Sequence, residues 1–504
     1  MPTPARAFPT RQLAALFVQG LLLAAGLSAC AASMPAAQAP KEPVAEQDAP
    51  RIAAFRQQVE ADRERLKIPG LSAVVLEDGK VLWTEGFGYA DVEHKVAATP
   101  DTLYHVASLT KTFTAILVWQ LVEQGKLDLD EPVSHYSSDF KDDSVRIKHL
   151  LSHTSEDPPG DHYKYNPDRF EYLKAVLEKK TGKPLRQLFV ETFLDPLDMR
   201  DSVPGPDVAA DDTKWAVLGQ DHLARYKANL ARLAEPYTYY GEGEILHDAF
   251  PPADFWASAG LLSTVRDMAK YDAAVDRHAL LKPETLARAW TPFISNAGQP
   301  LAHGLGWFVT DYRGTRLVWH YGHWGTGFSA IYLKVPAKHL SMILLSNSEA
   351  LADHMFQIGQ DITTNVFACD FLDTFVPELA NASGPTSATA VPDCNVGSRA
   401  ALAKWIEDRR AKMRKAIAVD PALLQAYAGR YDVPERGVWT LTADGSHLYL
   451  VGSTGNRHEL FAEAPDRFFL KDRTWTVSFV KEGGRVTRME ITDTGILLKA
   501  PRVK

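Results

Sequence analysis

Three cysteines in 504 residues are too few for a disulfide-rich scaffold. None stands at metal-ligand spacing from a histidine, so no structural zinc site is expected. Lysine and arginine never gather into a stripe, and 55 of them face 63 acidic residues for a formal net charge of −8. Nucleic acid is therefore not an expected partner. Compositional bias is also missing: 45% hydrophobic and 23% charged residues exclude bulk disorder and leave enough apolar material for a large core. The length suits two or three domains.

The N-terminus is the first positive signal. Arg6 and Arg11 precede an apolar run, LAALFVQGLLLAAGLSA, that contains no acid and is too short and wrongly flanked for a spanning helix. It ends in Leu27-Ser28-Ala29-Cys30, which resembles a bacterial lipobox. The expectation is a lipoprotein signal over 1–29, cleavage before Cys30 and lipidation there, placing the protein in the periplasm or cell envelope with the membrane as a partner. A plain signal peptide cut at Ala29 or beyond is the alternative. Residues 30–50 are rich in Ala and Pro and read as a tether. Of the remaining cysteines, Cys369 and Cys394 can pair across a flexible-looking NASGPTSATAVPD, or stay as two thiols.

Ser108-Leu109-Thr110-Lys111 carries the chemistry. After it, Phe113, Ile116, Leu117 and Leu121 have helical spacing, and Gly125 suits a C-terminal stop. Ser108 and Lys111, at i and i+3, share a face of the first turn. A lysine in a dry pocket loses its charge and can take the serine proton, while the helix N-terminus offers N–H groups to an oxyanion. S-x-x-K also occurs at Ser138, in a polar turn, and at Ser478, in an alternating strand. The plainer reading of Ser108 is an N-cap serine beside an exposed lysine.

The rest of the chain predicts an α+β order. Residues 51–67 read as a charged amphipathic helix, and LSAVVLEDGKVLWTEGFGYAD as a hairpin around Asp78-Gly79. Residues 203–256 look irregular and aromatic, as either a binding wall or a packed insertion. Three antiparallel strands are expected over 304–348, with turns at Arg313-Gly314 and Pro336-Ala337, and then one helix, HMFQIGQDITTNVF. The domains so drawn are a hydrolase-like unit over 51–370, a linker with a charged helix over 371–420, and a small all-β barrel or sandwich over 421–504.

Residues 51–368 resemble the serine β-lactamase and penicillin-binding-protein-like hydrolases, on the class C and D-stereospecific peptidase/esterase side. SLTK, LLSHTSE, LEKKTGKPL, DPLDM, SAGLLSTVRDMAKY and GHWGTGFSA stand in the family's order, with Glu156 where the family has glycine. The tail from 423 is similar to the β-barrel often appended to such hydrolases. The resemblance implies an antiparallel sheet flanked by helices and a cofactor-free, metal-free acyl-enzyme mechanism on esters, D-amino-acid peptides or β-lactams.

It also implies roles. Ser108 is the expected nucleophile and Lys111 its proton acceptor. His323-Trp324-Gly325 matches the third motif, with His323 polarising a substrate carboxylate or leaving group and Gly325 letting substrate approach. The N–H groups of Ser108 and Thr326 would form the oxyanion hole. Tyr165-Asn166-Pro167 falls on the family's Tyr-x-Asn, with Tyr163 a neighbouring candidate. The family's tyrosine is a general base, so Tyr165 would take a proton near neutral pH, its pKa lowered by flanking lysines. Pro167 lacks the amide donor of the usual Asn, which tilts the expected substrate towards an ester or an unusual amide. The rival from another class is a non-catalytic, membrane-tethered protein that binds cell-wall fragments or β-lactams.

Overall fold

The computed structural model describes residues 48–503 apart from 157, 210–212, 241–243, 249, 252–253, 325–326, 357–360, 391–392, 412–413, 435–436, 453–456, 472–474 and 494–495. The expected signal, the lipobox Cys30, most of the tether, Gly325 and Thr326 lie outside the described residues. The chain divides into two units, with residues 44–413 in one and the C-terminal residues from 414 in the other.

The larger unit is built on a seven-stranded antiparallel sheet. Its first strands are β1 (Gly70–Glu77), β2 (Lys80–Asp91) and β3 (Val96–Ala97); its last are β4 (Phe308–Tyr312), β5 (Thr315–Trp324), β6 (Phe328–Val335) and β7 (Leu340–Ser346). The order is β3-β2-β1-β7-β6-β5-β4, so the two ends of the fold meet where β1 pairs with β7. The predicted hairpin forms at Asp78-Gly79, both with positive φ, as a two-residue turn of this kind requires. The expected three C-terminal strands are four: the stretch around Arg313-Gly314 is itself a hairpin, β4–β5.

Side chains alternate across β1. Leu71, Ala73 and Val75 join one core, and Val74 and Leu76 the other. Both faces are covered, which is why the central strands are nearly continuous apolar runs. On one face, helix α1 (Ala49–Arg65) places Phe55 against Phe371 and Phe375. On the other lie α2 (Thr110–Glu123), α3 (Tyr172–Thr181) and α4 (Val265–Asp276). Gly125 follows the end of α2 with φ of 65°, in the role expected of it.

Three expectations need correction. The predicted single helix after β7 is broken. One helix, α5, covers Ala350–Phe356; Asn365 then accepts from Ala368 N–H and so caps a new one, α6 (Val366–Phe375). The 371–420 stretch is not a free linker through most of its length. Its helix α7 (Cys394–Ala411) packs Leu402 and Trp405 into the core, and Cys394 is disulfide-bonded to Cys369. The 203–256 segment is partly regular, with a helix over Gln220–Leu230 and a hairpin of Tyr237–Tyr240 with Glu244–His247. Trp215 and Tyr237 are buried, as in a packed insertion, while Trp256 reaches the cavity described below.

The C-terminal unit is a closed eight-stranded barrel running from Gly429–Val433 to Ile496–Val503, each end pairing with the other. Closure removes its sheet edges. Its own core holds Tyr431, Leu450, Phe468, Phe479 and Ile491, and Ser478, the third S-x-x-K serine, is simply a strand residue there.

Candidate active site

The site forms where α2 begins. Tyr104–His105 is a short strand paired with Leu262 and Ser263. The chain then turns at Ala107, whose φ of 48° is left-handed and costs a non-glycine residue about 1–3 kcal/mol. A 3₁₀ turn, Ala107–Leu109, carries Ser108 and leads directly into α2. No side chain caps this start, so Ser108 is not an N-cap. Its Oγ instead accepts from Lys111 Nζ at 3.0 Å.

The sheet presses against this turn. A Cβ on Gly322 of β5 would lie 2.1 Å from the carbonyl oxygen of Val106, so only glycine fits there. Strand β4 pairs with β5 only from Thr315 to Trp319. The remaining residues, His320 to Trp324, run past β4, and Tyr321, His323 and Trp324 face a cavity of about 700 Å³ beside Ser108. Trp324 stacks on Trp256 at 6.1 Å and 10° to form one wall.

Lys111 is fully buried, which excludes the exposed-lysine reading. Burial lowers its pKa to about 7, although Glu171 and Asp168 pull it upward. It also donates to the Ser258 carbonyl at 2.9 Å and lies 5.1 Å from the Tyr165 ring. A buried ammonium with so few partners is easily deprotonated, which suits it to receive a proton from Ser108.

Tyr165 lines the cavity, whereas Tyr163 stacks behind it on His303. The expected lowering of the Tyr165 pKa is reversed. Burial dominates and raises it, and the Ser108 and Tyr321 hydroxyls offset this only in part. The phenol is therefore a proton donor near neutrality. Asn166 cannot replace the missing Asn of the motif. Its carbonyl caps the Pro167–Phe170 turn through Arg169 N–H at 2.9 Å, and its amide donates to Glu156 at 2.6 Å. Pro167 itself faces the cavity.

His323 lies at the opposite side, with Nε2 3.3 Å from Asp353 Oδ1. The Trp405 indole donates to the other Asp353 oxygen at 2.6 Å, so α5 and α7 fix the carboxylate that lies beside the imidazole. Sequence reasoning missed Asp353, and it missed Glu171. Burial raises the Glu171 pKa to about 7, and the carboxylate accepts from Ser258 N–H at 3.2 Å. Ser258 thus links Lys111 to Glu171; its place in SAGLLSTVRDMAKY was the available signal. Among the described residues, no three His, Cys, Asp or Glu side chains are grouped to hold a metal.

A two-faced antiparallel sheet, with a buried Ser–Lys pair at the start of a central helix, defines the serine β-lactamase and penicillin-binding-protein class of fold. The chain belongs to the beta-lactamase family, whose model matches residues 55–361; a domain of unknown function, DUF3471, matches residues 413–500. The chain is similar to Protein flp of Staphylococcus aureus strain MW2, 24% identical over 57% of this chain and 61% of that protein. It thus spans about three fifths of the length of the first curated relatives it matches. It is 21% identical to Penicillin-binding protein 4* of Bacillus subtilis strain 168, over 81% of this chain and 89% of that one. Among solved structures, the octameric penicillin-binding protein homologue from Pyrococcus abyssi matches with a TM-score of 0.52 and 20% identity, over 89% of this chain and 99% of that one. SurE matches with a TM-score of 0.51 and 21% identity, over 91% and 100%. These likenesses show the fold.

Proposed function

We propose that the protein is a serine hydrolase that cleaves ester or amide carbonyls through an acyl-enzyme on Ser108. One observation carries the reading: Lys111, fully buried and near its own deprotonation point at neutral pH, touches the Ser108 hydroxyl. Neutral Lys111 takes the Ser108 proton as Oγ attacks the carbonyl carbon. The oxyanion develops at the N-terminus of α2, where the Ser108 N–H would hold it, and the family resemblance assigns the second donor to the Thr326 N–H; each such donor is typically worth about 3 kcal/mol. Collapse expels the leaving group, which receives the proton held by the Lys111 ammonium, directly or relayed through the Tyr165 hydroxyl, and Lys111 returns to its neutral form. Water then attacks the ester, and Lys111 serves as base a second time. His323, beside Asp353, faces the cavity and would polarise the leaving group or a substrate carboxylate there.

The substrate is a small ester or an unusual D-amino-acid amide rather than a standard β-lactam. Asn166 is committed to its cap and to Glu156, so no carboxamide from this motif is free to bind a substrate amide. The stacked Trp256 and Trp324 suit an apolar acyl or alcohol group. We also propose that Cys30 anchors the protein by lipid in the cell envelope; a Cys30→Ala protein found in the membrane fraction as before would remove that part.

The test is intact-mass and gel labelling of residues 51–504 with a fluorophosphonate and a fluorescent penicillin, beside Ser108→Ala. Labelling of the unmodified protein alone by the fluorophosphonate supports the esterase or peptidase reading. Penicillin labelling restores β-lactam recognition. No labelling by either makes the binding-protein rival the better account.

A further inference from the structure

We propose that the catalytic cavity selects substrates that carry an organic cation, a methylated ammonium above all, a few bonds from the carbonyl, and that it discriminates against carboxylates. The inference rests on the Ser108 hydrolase reading and adds the charge of the substrate to it.

The acidic side of the cavity follows from the sequence. Glu171 and Glu178 stand three and ten residues after Asp168, which is helical spacing. The Pro167–Phe170 turn and α3 therefore present one acidic stripe, and all three residues line the cavity of about 700 Å³. Asp168 is exposed and the two glutamates are half-buried, so each can meet what enters. Their recorded hydrogen bonds come from neutral groups: the Ser258 N–H reaches Glu171 at 3.2 Å, and the Leu185 N–H reaches Glu178 at 2.9 Å. Against these three carboxyl groups the lining offers one ammonium, Lys174, and no arginine. Lys174 acts on Glu171 through its charge. The histidine of the lining, His323, stands beside a further carboxylate, Asp353.

Aromatic walls are the second, independent observation. Trp256 and Trp324 line the same cavity, are both half-buried, and stack at 6.1 Å and 10°. Indole is the side chain that attracts cations best. The acids and the rings are joined, because the Ser258 N–H that holds Glu171 lies two residues after Trp256.

The two features together fix the sign and the kind of charge. A methylated ammonium has a charge for the carboxylates, methyl groups for the indoles, and no N–H that needs an acceptor. A neutral alkyl group would use the indoles alone. A carboxylate would enter a cleft that already carries an excess of its own charge, where field lines are focused rather than screened. His323 then acts on the leaving group and not on a substrate carboxylate.

The test compares three esters of similar size in the purified protein: butyrylcholine, its neutral carbon isostere 3,3-dimethylbutyl butyrate, and the anionic 3-butyryloxypropanoate. Each kcat/KM is divided by the hydroxide-catalysed rate of the same ester, which removes leaving-group reactivity. We expect the cationic ester to exceed the neutral one by about tenfold or more and the anionic one by about a hundredfold or more. Asp168→Asn and Trp256→Leu, or Trp256→Phe if the latter does not fold, should each lower the cation-to-neutral ratio by about threefold or more. The ratio cancels any change at Ser108 or Lys111, since both esters use them. Calorimetry of choline and 3,3-dimethylbutan-1-ol on the Ser108→Ala protein reads recognition without turnover, and choline should bind more tightly. Ester cleavage with no preference for the cation, or a preference that survives both substitutions, would overturn this proposal and leave the hydrolase standing. Choline-selective binding with no cleavage of any ester would overturn the hydrolase reading and leave the cation site standing.

Discussion

Lys111 Nζ donates to Ser108 Oγ across 3.0 Å from a position with no exposed surface. The pairing is produced by three local facts. The two side chains stand at i and i+3, so they share a face; the turn at Ala107 carries Ser108 to the cavity; and Ser258, Tyr165 and Phe170 lie against the amine and keep water from it. Burial makes the lysine a base, and contact makes it the base for this serine.

Removing that base should nearly silence the nucleophile. Lys111→Met preserves length and apolar packing but leaves no proton acceptor. Fluorophosphonate labelling should slow by about 10²–10⁴-fold, the usual contribution of a general base. Lys111→Arg should not rescue it, because a guanidinium does not deprotonate in this range. A labelling rate within threefold of the parent would mean that another group activates Ser108.

The pH profile should have its ascending limb near pH 7. The free enzyme is competent when Lys111 is neutral, and burial places that transition at about 7. Glu171 holds the Lys111 pKa up through its negative charge. Glu171→Gln removes that attraction, so the ammonium loses its proton more readily and the limb should move to lower pH. Labelling rate against pH checks this; a shift to higher pH would show that Glu171 acts on some other group.

Gly322 is predicted to be irreplaceable for a steric reason. Alanine would place its Cβ 2.1 Å from the Val106 carbonyl oxygen, a backbone atom that cannot move without displacing Ala107 and Ser108. Gly322→Ala should cost about 1–3 kcal/mol, the usual price of overpacking, and should lower the labelling rate as well. Urea melts with parallel labelling separate the two effects. Parent-like stability and labelling together would mean that β5 can retreat freely.

Much of this was legible in the chain, and the reasons are local. Ser108 and Lys111 stand three residues apart before a helical apolar pattern, and Asp78-Gly79 announces its hairpin. The barrel strands follow from alternation and Gly-containing turns. Glu171 and Asp353 were not legible. Each joins the site through tertiary packing, 60 or more residues from Ser108 for one and through α5 for the other, with no motif to mark it. The Gln220–Leu230 helix was missed because only Leu223, Tyr226 and Leu230 carry its apolar face, in a run otherwise charged and polar. The Tyr165 pKa was misjudged because charge neighbours can be read from sequence while burial cannot, and burial decided the sign.

A pH-dependent clamp away from the active site gives the last prediction. Arg399 of α7 bonds both oxygens of Asp62 at 2.6 Å and Asp370 at 2.6 Å, tying α1, α6 and α7 together. Arg399 serves both buried carboxylates, and Arg65 also donates to Asp62 at 2.8 Å, which leaves Asp370 with the smaller share of positive charge. Burial, helped by the adjacent Asp62, raises the Asp370 pKa to about 7. In the unfolded chain an aspartate titrates near 4. Between those values the folded state binds the extra proton, so stability falls as pH rises through the window and the loss is complete above the folded pKa. Asp370→Asn keeps the shape and removes the titration. The parent should therefore lose stability between about pH 5 and 8, and the variant should lose less, by about 1–2 kcal/mol once solvent screening is allowed for. Urea unfolding at the two pH values measures it. A variant whose stability falls as steeply as the parent's would show that Asp370 is already ionised throughout, with Arg399 strong enough to hold both charges.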